Sequence, residues 1–89
     1  MQPEITLYTK DYCPYCKRAK ALLTSKGVTF TDYEVADNPE KFTEMLARSN
    51  GGRTVPQIFI GDVHVGGASD LFALEDAGKL DLLLNLTQA

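Results

Sequence analysis

Apolar and polar positions change period several times along this 89-residue chain. Residues 4–9, EITLYT, are short and β-prone, with Ile5 and Leu7 two apart, which predicts a buried strand. Residues 14–26, PYCKRAKALLTSK, predict a helix with Ala19, Leu22 and Leu23 on its apolar face. Pro14 suits the first turn, where a missing N–H does no harm. Gly27 suits the left-handed stop beyond the last. Residues 28–35, VTFTDYEV, are β-branched and aromatic and predict a second strand. A second helix starts at residues 37–40, with Asp37 or Asn38 as cap and Pro39 in its first turn. It runs through Phe42, Met45 and Leu46 and stops at Asn50, Gly51 and Gly52.

Past Pro56, QIFI (57–60) and VHV (63–65) flank Gly61 and Asp62, a loop that fits a type II′ hairpin. Gly66 and Gly67 turn the chain into a helix over about 69–77, which Gly78 ends. Residues 80–86, LDLLLNL, predict a last short amphipathic helix. The order β-α-β-α-β-β-α plus a C-terminal helix predicts an α/β fold. Its four-stranded mixed sheet has a parallel β-α-β unit, an antiparallel closing hairpin and helices on both faces. Residues 1–89 read as one small domain, without linker or repeat.

Composition is that of a soluble globular chain, with 44% hydrophobic and 24% charged residues. No apolar run approaches the roughly 18 residues of a membrane helix. The start, MQPEITLYTK, has no signal-peptide pattern, so a cytoplasmic protein is the expectation. Net charge is −3, unevenly spread. Lys10, Lys17, Arg18, Lys20 and Lys26 stand against Asp11 alone in residues 10–26. This cluster is either a solvated helix face or a positive local field that favours a thiolate and an anionic substrate. An acidic chain with so short a basic cluster is a poor nucleic-acid binder.

That basic segment holds the only cysteines, Cys13 and Cys16, in CPYC. As a disulfide staple the pair closes too small a loop to stabilise much. A closed zinc site wants four ligands, and the single histidine, His64, lies far along the chain in a predicted strand. A redox couple fits better. Cys13 stands just before a helix, facing unpaired N–H groups and the positive end of the dipole, with Lys10 nearby. Cys13 is therefore the expected nucleophile, and Cys16, one turn into the helix, the resolving thiol.

CPYC after YTK resembles the active-site signature of the dithiol glutaredoxins, a glutathione-linked branch of the thioredoxin-fold superfamily. TVPQIFI (54–60) is similar to the family's proline loop, and GGASDL (66–71) to its glutathione-binding turn. The resemblance spans essentially the whole chain and is closest to the compact bacterial members. It implies a thioredoxin-like fold and a glutathione-dependent thiol–disulfide oxidoreductase that acts on protein disulfides and glutathione mixed disulfides. An ordinary Val55–Pro56 bond would be trans; the resemblance implies cis. It also implies that Thr54, Val55 and Pro56 present backbone to the cysteinyl part of glutathione. Gly67, Ser69 and Asp70 would hold its γ-glutamyl end, where the bland alternative is a helix cap. Lys10 would reach the glycyl carboxylate, and Tyr15 would wall the groove.

Glutathione is thus the expected co-substrate, with no metal. Glutathionylated proteins and ribonucleotide reductase are the partners the family suggests, and a monomer is the simplest state. Two positions depart from common family patterns. Thr43, with Lys41 nearby, stands where many members have Arg or Gln. Ala68 stands where several have Cys. Arg53 has no assigned role. Two rivals carry different chemistry. A thioredoxin-like reductase is disfavoured by the absence of tryptophan beside the cysteines and by the turn at 66–70. An iron–sulfur carrier built on Cys13 and glutathione is disfavoured by Pro14.

Overall fold

The computed structural model describes residues 3–85. Four strands, β1 (Ile5–Thr9), β2 (Thr31–Glu34), β3 (Gln57–Ile60) and β4 (Val63–Gly66), form one sheet in the order β2-β1-β3-β4. β1 runs parallel to β2 and antiparallel to β3, and β3 is antiparallel to β4. The helices are α1 (Pro14–Ser25), α2 (Pro39–Arg48), α3 (Ala68–Asp76) and α4 (Leu80–Leu83). The mixed α/β architecture expected from the sequence is what forms.

β1 and β3 are central and buried along their whole length. Alternation along a strand sends their side chains to opposite faces. Ile5, Leu7, Ile58 and Ile60 pack with Ala19 and Leu23 of α1, Leu71 of α3, and Leu80 and Leu84. Tyr8 and Phe59 pack with Met45 of α2 on the other side. The buried positions of α1 are Cys16, Ala19 and Leu23, spaced three and four apart as one helix face requires. Cys16 is thereby part of the packed interior.

Several boundaries differ from the sequence reading. β2 starts at Thr31 rather than Val28. Its ladder with β1 begins at Thr6↔Thr31, and Val28 and Phe30 before it pack into the core. Asn38, not Asp37, caps α2, its Oδ1 accepting from Lys41 N–H at 3.3 Å. α3 starts one residue earlier than expected, with Gly67 as its cap. α4 stops at Leu83, and Asn85 turns left-handed (φ 61°); residue 86 of the expected helix lies outside the described residues. Gly61 has φ 57° and Asp62 does not share the positive sign, the φ pattern of the expected II′ turn.

Lys20 and Lys26 are both held in ion pairs, and the Lys20 charge also acts at Cys16, favouring its thiolate by less than burial opposes it. Lys20 Nζ pairs with Asp32 at 2.8 Å, and Asp32 also accepts from the Thr9 hydroxyl at 2.6 Å. Lys26 Nζ lies between Glu75 (2.7 Å) and Asp81 (2.8 Å), tying the end of α1 to α3 and α4. No helix among the described residues is long and apolar enough to cross a membrane.

Candidate active site

Cys13 ends the turn after β1 and is the N-cap of α1, with extended backbone (φ −94°, ψ 114°). Its N–H donates to Lys10 O at 3.1 Å, which closes the turn. Pro14 follows at the first helical position, as its fixed φ favours. The Cys13 sulfur takes the place usually filled by a serine or aspartate oxygen, accepting the Cys16 N–H at 3.3 Å. Both cysteines are free thiols. Cys13 is half-buried and Cys16 fully buried. Burial pushes the Cys16 thiol up to about 12, and its hydrogen bond to Cys13 pushes in the same direction.

A segment 42 residues further on completes the site. The Val55 carbonyl lies 3.8 Å from Cys13 Sγ, within reach of an S–H donor. The Val55–Pro56 peptide is cis. A cavity of about 310 Å³ opens here, lined by Tyr15, Thr54, Val55, Pro56, Gly67, Ala68 and Ser69. One wall is therefore the proline loop and the facing wall the N-terminus of α3, where unpaired N–H groups and the dipole favour an anion. Gly66 has φ 111°, and a Cβ there would collide with the Asp70 carboxylate, so the turn into α3 requires glycine.

Six of the ten residues expected at the site line this one cavity: Tyr15, Thr54, Val55, Pro56, Gly67 and Ser69. Cys13 joins them through its contact with Val55, and Cys16 lies beneath it. Lys10 and Asp70 are not among the lining residues of this cavity. Lys10 borders a second cavity of about 310 Å³ with Tyr12, Val35, Ala36, Pro39 and Phe42. The Asp70 carboxylate accepts the Gly67 N–H at 3.0 Å, and the residue borders a groove on the His64 side. Asp70 thus has the capping role that its position also suggested. Lys41 is held by Glu44 (3.1 Å) and lies 4.0 Å from the Tyr33 ring, and Thr43 is exposed. Tyr12 and Tyr15 are exposed, with Lys10 over the first ring and Arg18 over the second.

Two polar residues escaped the sequence reading. Ser49 is buried where α2 ends; its hydroxyl donates to Met45 O at 2.6 Å and accepts Gly52 N–H at 2.9 Å. Gln57 is buried at the start of β3 and bonds to Thr54. The available signal was an amide opening the otherwise apolar run QIFI just past Pro56. Among the described residues, no group of three or more His, Cys, Asp or Glu side chains could hold a metal ion.

A family model described as Glutaredoxin matches residues 5–65. The chain belongs to the glutaredoxin family. It is 55% identical over 83 residues to a glutaredoxin of Pseudomonas aeruginosa, covering 93% of this chain and 98% of that one. It is 55% identical over 80 residues to glutaredoxin 3 of Escherichia coli K12, covering 90% and 95%. The solution structure of glutaredoxin from Brucella melitensis superposes with a TM-score of 0.80 at 51% identity, over 99% of this chain and 95% of that one. A buckwheat glutaredoxin crystallised as its glutathione complex gives a TM-score of 0.81 at 30% identity, over 93% and 77%. This glutaredoxin has the thioredoxin-like fold of its family and is a thiol–disulfide oxidoreductase.

Proposed function

We propose that this glutaredoxin uses glutathione to reduce glutathione mixed disulfides and protein disulfides, with Cys13 as nucleophile and Cys16 as resolving thiol. The carrying observation is the placement of Cys13 Sγ. It is the accessible sulfur of the pair, it accepts an N–H at a helix start, and it borders the backbone of Val55. A bound tripeptide would pair its cysteinyl backbone with Val55 in the manner of an added strand. Its γ-glutamyl carboxylate would meet the N–H groups and hydroxyl at Ser69. Asp70 is the partner for the α-amino group of that end, and Lys10 for the glycyl carboxylate.

The Cys13 thiolate attacks the glutathione sulfur of a mixed disulfide. A Cys13–glutathione disulfide forms, and the substrate leaves as its thiolate. A second glutathione thiolate attacks the bound glutathione sulfur, releasing glutathione disulfide and returning Cys13 as thiolate. With a protein disulfide, Cys13 forms a mixed disulfide with one substrate sulfur. Cys16 loses its proton and attacks Cys13 Sγ, closing the internal disulfide and freeing the second substrate thiol. Two glutathione molecules reopen that disulfide. The substrates are glutathionylated and disulfide-containing proteins of a reducing cytoplasm, met by a monomer.

The test is glutathione-dependent turnover of a small glutathione mixed disulfide, coupled to glutathione reductase and NADPH. Wild type turns over, Cys13→Ser is inactive and Cys16→Ser retains activity. Turnover only when thioredoxin reductase replaces the glutathione system would sink this reading.

A further inference from the structure

Gln57 carries no role in the chemistry above, yet it is 5% exposed at the head of a central strand. A buried amide is costly unless each end finds a partner. Here both do. Nε2 lies 2.9 Å from Thr54 O and 3.3 Å from Thr54 Oγ1. Oε1 lies 2.7 Å from His64 Nε2. A carbonyl only accepts, so the amide nitrogen must face Thr54 and the amide oxygen must face His64. His64 therefore carries a proton on Nε2 and donates it. The imidazole is itself fixed, stacked on Phe59 with ring centroids 4.7 Å apart, at the position opposite Phe59 in the β3–β4 ladder.

These contacts form a chain from the edge strand to the proline loop: Phe59 and His64 hold Gln57, and Gln57 holds Thr54. Thr54 is joined to Val55, whose carbonyl borders Cys13 Sγ. The loop is tight on this side, since a Cβ on Gly52 would come within 3.0 Å of Gln57 Nε2 and 2.8 Å of Ser49 Oγ. We infer that Gln57 is a positioning residue, oriented by His64, that sets the Thr54–Val55 backbone at the register a disulfide substrate needs. The inference rests on the proposed role of Val55 as the backbone edge for that substrate. Gln57 never touches the reacting sulfurs, so it acts on substrate binding and leaves the Cys13 thiol as it is.

The test uses the full chain with Gln57→Met, which keeps side-chain length without donor or acceptor, and Gln57→Glu, which puts an acceptor against the Thr54 carbonyl. His64→Phe keeps a ring on Phe59 and removes the donor to Oε1. Three quantities are read: KM and kcat for a glutathione mixed disulfide, the Cys13 alkylation rate, and hydrogen exchange at the Thr54 and Val55 amides. Loss of the two neutral hydrogen bonds to Thr54, along with the one from His64, raises KM about tenfold in Gln57→Met. Exchange at 54–55 quickens, while kcat and Cys13 alkylation stay within about twofold. Gln57→Glu behaves the same way, and His64→Phe shifts KM and exchange in that direction by less. Should Gln57→Met fail to fold by circular dichroism, Gln57→Glu and His64→Phe decide. KM and exchange at wild-type values in the folded variants overturn the inference. A wild type without turnover overturns the proposed function instead, and the exchange measurement still decides whether Gln57 holds the loop.

Discussion

Cys16 is the thiol whose behaviour the structure makes most specific. It is fully buried and pushed up to about 12, first by burial and then by its hydrogen bond to Cys13. At pH 8 that leaves roughly one molecule in 10⁴ with a Cys16 thiolate, against about one in four for an ordinary thiol. Thiolate supply alone thus slows Cys16 by roughly 10³-fold, and burial slows it further. In reduced protein treated with iodoacetamide at pH 8, peptide mass spectrometry should find Cys13 fully labelled before Cys16 is detectable. The Cys13 contribution has a second consequence. Once Cys13 is capped as a thioether it can no longer carry charge, and only burial still raises Cys16. The Cys16 titration, followed by ¹³Cβ shifts, should therefore move to lower pH in the capped protein. Burial would keep it above the ordinary thiol value. That order suits a resolving thiol, which gains acidity when Cys13 enters a mixed disulfide. Labelling of Cys16 in step with Cys13, or a titration unmoved by capping, would refute the reasoning.

Three other expectations concern the scaffold. The Tyr8 hydroxyl and then Lys41 hold the Glu44 carboxyl below the usual range. Its contribution to stability is complete above the unfolded value of about 4.3 and is lost as pH falls through the lower folded value. Urea midpoints between pH 3 and 7 should fall less steeply on the acid side in Glu44→Gln than in wild type, and parallel curves would exclude the pairing. Gly66→Ala places a methyl on the Asp70 carboxylate at φ 111°. It should cost about 1–3 kcal/mol in denaturant unfolding, and a loss below a few tenths would mean the turn adjusts freely. Asp70→Ala removes the acceptor of the Gly67 N–H. It should cost about 1 kcal/mol of stability and raise KM for the glutathione mixed disulfide several-fold. A stability loss with KM unchanged would leave Asp70 a cap alone.

Local rules made much of this protein legible in its sequence. Strand and helix order followed from changes of period, and Gly27 and Gly78 mark the helix ends with positive φ. The position of Cys13 at the head of α1 was readable because Pro14 and the apolar positions beyond it act over only a few residues. The family itself came from resemblance, carried by CPYC, TVPQIFI and GGASDL in that order. Contacts between distant segments were not readable in that way. Which strand lies beside which decides that Val55, from the far side of β1, borders Cys13. Packing of α1 against β2, α3 and α4 decides that Lys20 and Lys26 pair with Asp32, Glu75 and Asp81, where the sequence left a solvated face and a local field both open. The β3–β4 register decides that His64 reaches Gln57. Propensities and caps act within a turn or two of chain, so the sequence determined the elements and the local setting of the thiol. Partners brought together by burying one shared core are set by the whole fold, so only the tertiary structure decided what faces that thiol and what holds the facing loop in place.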